Sequence, residues 1–432
     1  MKLNPNLRED ALVIIGSTLK SINPEKLIKE DLTNKLLQEI QSYGKVLVFG
    51  AGKASASMVL ALEEILGEKI SEGIVVVPDG YKLPTRIISI KEASHPVPDE
   101  RGQKAAQEIK EAVANSGLDD LIIFLFSGGG SALLPLPFPP LTLRDLQETT
   151  KKLLKAGVNI KEINTVRKHI SLLQGGRLAH MARGHSLTFL LSDVVGDDPD
   201  TIASGPTTPD PSTFQQAEEV LNRYDILEKS SNTLKNFLEE GKKGTIPETP
   251  KELPSTHRHI LIGSSLIALQ EASKTASSLG YKTLILSGMV EGEASLVGRI
   301  LVHIGKEIKR SGNPVGPPAC LLLGGETTVK VTGKGKGGRN QEVALGAGAE
   351  LAPNPGILVA SFSTDGKDGP TSAAGAMVDS GIMEQATKLK MDARKYLDEH
   401  NSFNFFLKAG GLLKTGPTYT NVGDIMIILV GD

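Results

Sequence analysis

Cysteine is almost missing from this sequence: one residue, Cys320, in 432. A single thiol excludes an intramolecular disulfide and any cysteine-rich zinc site. Its setting, Ala319-Cys-Leu-Leu-Leu323, reads as a buried strand in which the thiol packs as a small hydrophobe. An excess of charge of either sign is missing too. Lys and Arg number 48 against 50 Asp and Glu, a formal net charge of -2. A nucleic-acid binder normally carries a basic excess or stripe, so no such partner is expected, although local cationic pockets for a small anion remain open. No run reaches the roughly 18 to 20 apolar residues of a membrane span, and no membrane partner is expected. The start, Met1 to Asp10, is polar and acid-bearing, unlike a secretory leader, which makes the cytoplasm the expected compartment. Short-period repeats and low-complexity tracts are also lacking.

What is present is alternation. At this length two domains are the natural expectation. Short apolar runs (Val46–Phe49, Ile74–Val77, Ile87–Ile90, Leu121–Phe126, Leu187–Leu191) alternate with longer amphipathic ones such as Ala54–Leu66 and Asp99–Val113, as in parallel α/β proteins. The stretch Gly241–Pro254, rich in Gly, Pro and Lys, reads as an exposed connector. Beyond it the pattern restarts with strands at His259–Ile262 and Thr283–Leu286, a hairpin at Thr327–Thr332 and a closing strand at Ile425–Val430. The expected fold is α/β with two domains, 1–250 and 251–432. Each would hold a mostly parallel sheet flanked by helices, with the active site in the cleft between them.

In open α/β sheets ligands gather outside the carboxyl ends of the strands, so the loops after the apolar runs carry the chemistry. Gly50-Ala-Gly-Lys-Ala-Ser55 opens a helix. Gly50 and Gly52 permit a tight turn exposing amides to an anion, and Lys53 adds a cation inside it. The run only partly fits a dinucleotide fingerprint, with Ser55 in place of the third glycine, and Ala54 excludes a Walker loop. Next come Ser127, Gly128, Gly129, Gly130 and Ser131, where a ligand could touch bare main chain. Leu191–Asp198 gathers Asp193, Asp197 and Asp198, suited to Mg²⁺ or to activating a hydroxyl, although turns and helix caps use the same residues. Gly324–Thr328 and Gly333–Glu342 bring Glu326, Lys334, Lys336, Arg339 and Asn340. Ser363–Pro370 brings Asp365 and Asp368, and Thr415–Asp424 adds hydroxyls and an amide. His95 and His169 stay open as bases, a structural role being commoner at such positions. Cations, carboxylates and glycine-exposed amides, without Cys or a metal-spaced histidine pair, are the set that phosphoryl transfer to a small acid requires.

Nine collinear runs carry a resemblance. They are Gly50–Ser55, Ser94–Asp99, Ser127–Ser131, Asn164–Lys168, Leu191–Val194, Gly324–Thr328, Gly338–Glu342, Ser363–Gly366 and Thr415–Pro417. Together they resemble the glycerate kinases whose C-terminal half is the leucine-rich multi-organism fragment, a family once called hydroxypyruvate reductase. The resemblance implies ATP and Mg²⁺, D-glycerate as acceptor, and Lys53 and Arg339 as the principal functional cations with Asp193 beside them. Lys53, Asp193 and Arg339 are thus the expected catalytic residues. Gly50, Gly52, Ser127, Gly128, Gly129, Gly130, Ser131, Arg167, Glu326, Asn340 and Asp365 are expected to bind substrate or nucleotide, and Asp193 and Asp197 the metal. Two positions depart from the family's pattern: Ser265 where Asn is usual, and Tyr419 where glycine is common.

A nicotinamide-dependent hydroxypyruvate reductase is the competing enzyme, suggested by the partial Gly-x-Gly turn. No acid ends the second strand in the place a ribose would need, since Val77 is followed by Pro78 and Asp79 is displaced. A nucleotide sensor is the non-enzymatic alternative, disfavoured by the second carboxylate cluster. The residues alone leave open the 2- or 3-hydroxyl and the oligomeric state, a homodimer included.

Overall fold

The computed structural model describes residues 6–351 and 355–431, so Met1–Pro5 of the polar start lie outside the described residues. The chain forms two compact units, Pro24–Ile262 and Met1–Asn23 with Gly263–Asp432.

The Pro24–Ile262 unit is built on β1 (Val46–Ala51), β2 (Ile70–Pro78), β3 (Ser89–Ala93), β4 (Leu121–Phe126), β5 (His185–Leu191) and β6 (His257–Gly263), in the order β3-β2-β1-β4-β5-β6. The β3–β2, β2–β1, β1–β4 and β4–β5 pairs are all parallel. β1 and β4 are buried throughout, which is why they read as continuous apolar runs rather than alternating ones. Phe124 and Phe126 stack at 6.0 Å inside that core. A second cluster forms where the helices Leu143–Lys155, Ile160–Ile170, Phe214–Arg223 and Asn232–Lys242 meet around Phe214 and Phe237.

The Gly241–Pro254 stretch is mostly exposed, as its composition suggests, but it is fastened along its length. The Thr249 hydroxyl is buried and donates to Asp210 (2.9 Å), the Asp210 amide donates to Pro250 O (2.9 Å), and Arg177 donates to Pro247 O (3.1 Å). Glu248 accepts from the Phe214 amide (2.9 Å) and pairs with His169 (3.0 Å). Tertiary bonds thus hold this segment against its own unit, and β6 beyond it completes the first sheet. The unit boundary therefore lies at 262/263 rather than 250/251.

The second unit contains β7 (Lys282–Glu293), β8 (Ala319–Thr328), β9 (Ile357–Ser363), β10 (Gly375–Asp379), β11 (Leu412–Leu413) and β12 (Asp424–Val430), in the order β11-β10-β9-β12-β8-β7. Only β7–β8 is parallel; the other four pairs are antiparallel, so this sheet is mixed rather than mostly parallel. The helix Leu7–Ser21 belongs here because polar groups fasten it. Tyr281 Oη donates to buried Asp10 (2.8 Å), and Arg8 grips Asp379 at 2.5 and 2.6 Å. No hairpin forms at Thr327–Thr332, because the chain leaves β8 at Thr328 and docks the Lys336 backbone on residues 401–403, its amide donating to Asn401 Oδ1 and its carbonyl accepting from the Phe403 amide. Cys320 is buried in β8, as expected, and burial pushes its thiol up to about 12. Among the described residues no helix is long and apolar enough to cross a membrane.

Candidate active site

In the first sheet the chain leaves β1 toward β2 on one side, and β4 leads to β5 on the other. Their diverging loops open a crevice at the switch point, where such sheets bind ligands. The two glycine-rich loops lie there and are stitched together. Lys53 N donates to Gly128 O (3.0 Å), Ala54 N to Ser127 Oγ (3.0 Å), and Gly52 N to Val76 O (3.0 Å). Gly52 has φ 142°, and a β-carbon on it would stand 2.1 Å from Ser127 Oγ, so glycine is required. The amides expected to cradle an anion are therefore bonded within the protein. What this turn offers a ligand is the half-buried Lys53 side chain.

Asp193 follows β5 and packs onto the glycine loop: a β-carbon on Gly128 would lie 1.8 Å from its Oδ2. The exposed His95 ring lies against Gly129, 3.2 Å from where a β-carbon would be. Behind the loop Ser131 Oγ and Ser204 Oγ share a hydrogen bond (2.7 Å), and Ser204 Oγ donates to buried Asn164 Oδ1 (2.9 Å). Gln174 Nε2 donates to Ser131 O (3.0 Å). Ala203 and Ser204 hold φ of 52° and 59°, a left-handed strain common beside functional sites.

The neighbouring acids do not act as one cluster. Asp197 Oδ1 is enclosed with no hydrogen-bond partner among the described residues. Asp200 pairs at 2.7 Å with Lys168, which is itself buried and also reaches Asp210 (3.3 Å). Burial raises the pKa of Asp198, and Asp200 adds to the effect. No group of three or more metal-ligating side chains converges among the described residues. His169 is fully buried between Thr165 O (2.7 Å) and Glu248. These bonds give His169 a structural role.

In the second unit Arg339 is gripped by two carboxylates. Its Nε and Nη2 donate to Asp424 Oδ2 (2.6 Å) and Oδ1 (3.1 Å), and Nη1 donates to Glu326 (2.5 Å). Burial works against the Arg339 charge, but Asp424 and Glu326 outweigh it and hold its pKa above the ordinary value. Burial pushes the enclosed Asp424 carboxyl up to about 6, with Arg339 pulling the other way. Register explains the meeting, since Asp424 at the start of β12 lies opposite Gly325 of β8 and Ser363 of β9. The start of the helix Arg339–Leu351 is already capped by Asp368, which accepts from the amides of Asn340 (3.1 Å) and Gln341 (2.9 Å). Asn340, expected to bind substrate or nucleotide, is fully enclosed, and its Oδ1 accepts from Ser361 of β9 (2.5 Å). Asp365 is buried and takes hydrogen bonds from Ser363 Oγ and Lys367 N (both 2.9 Å).

Residues 10–239 match the domain of unknown function DUF4147, and residues 319–424 match the MOFRL family. A glycerate 2-kinase of Pyrococcus horikoshii is 42% identical over 98% of both chains. A D-glycerate 2-kinase of Thermotoga maritima is 40% identical over 98% of this chain and 99% of its own. The solved structure of a Thermotoga maritima glycerate kinase matches with a TM-score of 0.89 at 39% identity, over 98% of this chain and 99% of that one. The chain belongs to the glycerate 2-kinase family.

Within this glycerate 2-kinase scaffold the two departures from the family's pattern become intelligible. Ser264, not Ser265, caps its helix by accepting from the Ile267 amide (3.5 Å). Tyr419 has φ 54°, a left-handed conformation that glycine adopts without penalty. The dinucleotide alternative loses its acid, because Arg101 grips Asp79 at 2.7 and 2.9 Å. Asp424, Asn164, Ser204 and Gln174 are bonded to or beside expected site residues and were not themselves among them. Asp424 and Ser204 end or interrupt polar runs that were visible, but their partners lie 85 and 73 positions away.

Proposed function

We propose that this chain transfers the γ-phosphoryl group of ATP to the 2-hydroxyl of D-glycerate, giving 2-phosphoglycerate. The full-length likeness to glycerate 2-kinases supports the acceptor. The convergence of Lys53, the bare Gly128 main chain and Asp193 at the switch point carries the chemistry. Charge on a transferring phosphoryl group is spread over its oxygens, so fixed cations and positioning supply most of the catalysis. Lys53 holds that charge from the turn after β1. Asp193, beside main chain that carries no side chain, orients and accepts the proton of the attacking hydroxyl. Arg339 is the functional cation of the second unit: buried Asp424 fixes its fork, and the exposed Glu326 is its other partner.

Asp193 and Asp197 would hold Mg²⁺, and the enclosed, unpartnered Asp197 oxygen fits such a role. Mg²⁺ commonly takes only one or two carboxylates and completes its shell with phosphates and water, so a site without three converging acids suits it. When bound, it neutralises phosphate charge. The proposed compartment is the cytoplasm, consistent with a lone, buried and unreactive Cys320 thiol.

The test is an assay of ADP release with D-glycerate and MgATP, run beside NADH oxidation with hydroxypyruvate. Glycerate-dependent ADP release without NADH consumption is expected. NADH oxidation without ADP release would establish the reductase instead.

A further inference from the structure

Arg167 lies on the helix Ile160–Ile170, half-buried, and the reaction above gives it no task. Its side chain lines a small pocket with Ser131, Gln174, Thr150, Pro98 and Pro135. The pocket wall is fixed, because Gln174 is bonded to Ser131 O and Ser131 Oγ to Ser204. At about 20 Å³ it has room for little more than one water-sized group, so it can take the tip of a small acid but not a nucleotide.

The other enclosed arginines are answered by carboxylates. Arg339 has Asp424 and Glu326, and Arg177 has Glu248 and Asp210 nearby. Arg167 has no such answer. Burial pushes its guanidinium down to about 10, and no carboxylate among the described residues offsets this. A half-buried charge with no carboxylate opposite it carries a desolvation cost, and its planar fork is shaped for a carboxylate held by two parallel hydrogen bonds.

We infer that Arg167 receives the carboxylate of the acceptor and makes the site select a hydroxy acid over an uncharged polyol. This rests on the kinase reading. One loop then serves both ends of the substrate: Ser131 borders the carboxylate pocket, and Gly128 meets Asp193, which handles the hydroxyl.

The experiment is steady-state kinetics of the wild type, Arg167→Lys and Arg167→Gln with D-glycerate, its uncharged amide and MgATP. In Arg167→Gln the KM for D-glycerate should rise on the order of 10- to 100-fold, the strength of charged hydrogen bonds. The KM for MgATP should hold and the preference for glycerate over the amide should collapse. Arg167→Lys should recover part of the affinity and, by retaining the charge, guards against a folding defect in the neutral variant. Protection of each protein by D-glycerate against thermal unfolding gives a readout independent of turnover. An unchanged KM for D-glycerate, or a rise confined to MgATP, overturns the assignment while the kinase reading stands. A wild type that does not phosphorylate D-glycerate at all overturns both.

Discussion

The Asp193 carboxylate rests against the α-carbon of Gly128, so close that a β-carbon there would stand 1.8 Å from Oδ2. Gly128→Ala must push the carboxylate aside. Displacements of this size cost about a hundredfold in rate when a reacting group is misplaced. Turnover should fall by that order while the circular dichroism spectrum stays native. Unaltered turnover would mean that Asp193 is not at the reacting atoms.

Asp193→Asn should weaken Mg²⁺-dependent turnover far more than Asp200→Asn. Asp200 instead neutralises buried Lys168, and its loss should appear as a lowered Tm. Metal titrations and thermal melts on the two variants separate these roles, and equal kinetic losses would contradict them.

Lys53→Ala should lose most of its kcat and keep its fold. Removing a group that stabilises transition-state charge costs about 2.7 to 4 kcal/mol, roughly a hundred- to a thousandfold. Near wild-type rates at saturating substrate would remove Lys53 from the mechanism.

Arg339→Ala should lower turnover about as much as Lys53→Ala, since each removes a cation able to stabilise transition-state charge. Arg339→Lys should rescue little, lacking the fork. Asp424→Asn leaves Arg339 without its buried partner, a change that costs about 3 to 5 kcal/mol when such pairs are broken. It should therefore reduce both Tm and turnover. Wild-type turnover in Arg339→Ala would remove Arg339 from the mechanism.

Burial raises the Glu248 carboxyl, but hydrogen bonds from His169 and the Phe214 amide outweigh it and bring its pKa down to about 2. A depressed carboxylate stabilises the fold above its unfolded pKa, near 4.5, and that stability is lost as pH falls toward 2. Glu248 is more than a third exposed, so solvent screening keeps its share modest. Glu248→Gln should flatten the fall in Tm across this range, and an unchanged slope would deny the residue that part.

The first sheet was legible because its central strands are buried on both faces and therefore appear as unbroken apolar runs leading into glycine-rich loops. Continuous runs say nothing about strand direction, so the expectation of a mostly parallel second sheet fails at Asp424–Val430 and Ile357–Ser363, each antiparallel to its neighbours. The boundary was misread for a related reason. Gly, Pro and Lys in 241–254 announce irregular backbone, but not that Thr249 and Glu248 find partners at Asp210 and His169. Lys53, Asp193 and Arg339 stand out locally, as charged residues in loops that follow strands. Asp424 does not, since its role exists only through strand register.

The most direct test is phosphorus NMR of the product formed from D-glycerate and MgATP. The account predicts a phosphate monoester resonance coupled to the single proton on C2, with ADP formed in equal amount. A resonance coupled to the two C3 protons would contradict the assigned position, and the absence of any phosphorylated acid would contradict the kinase itself.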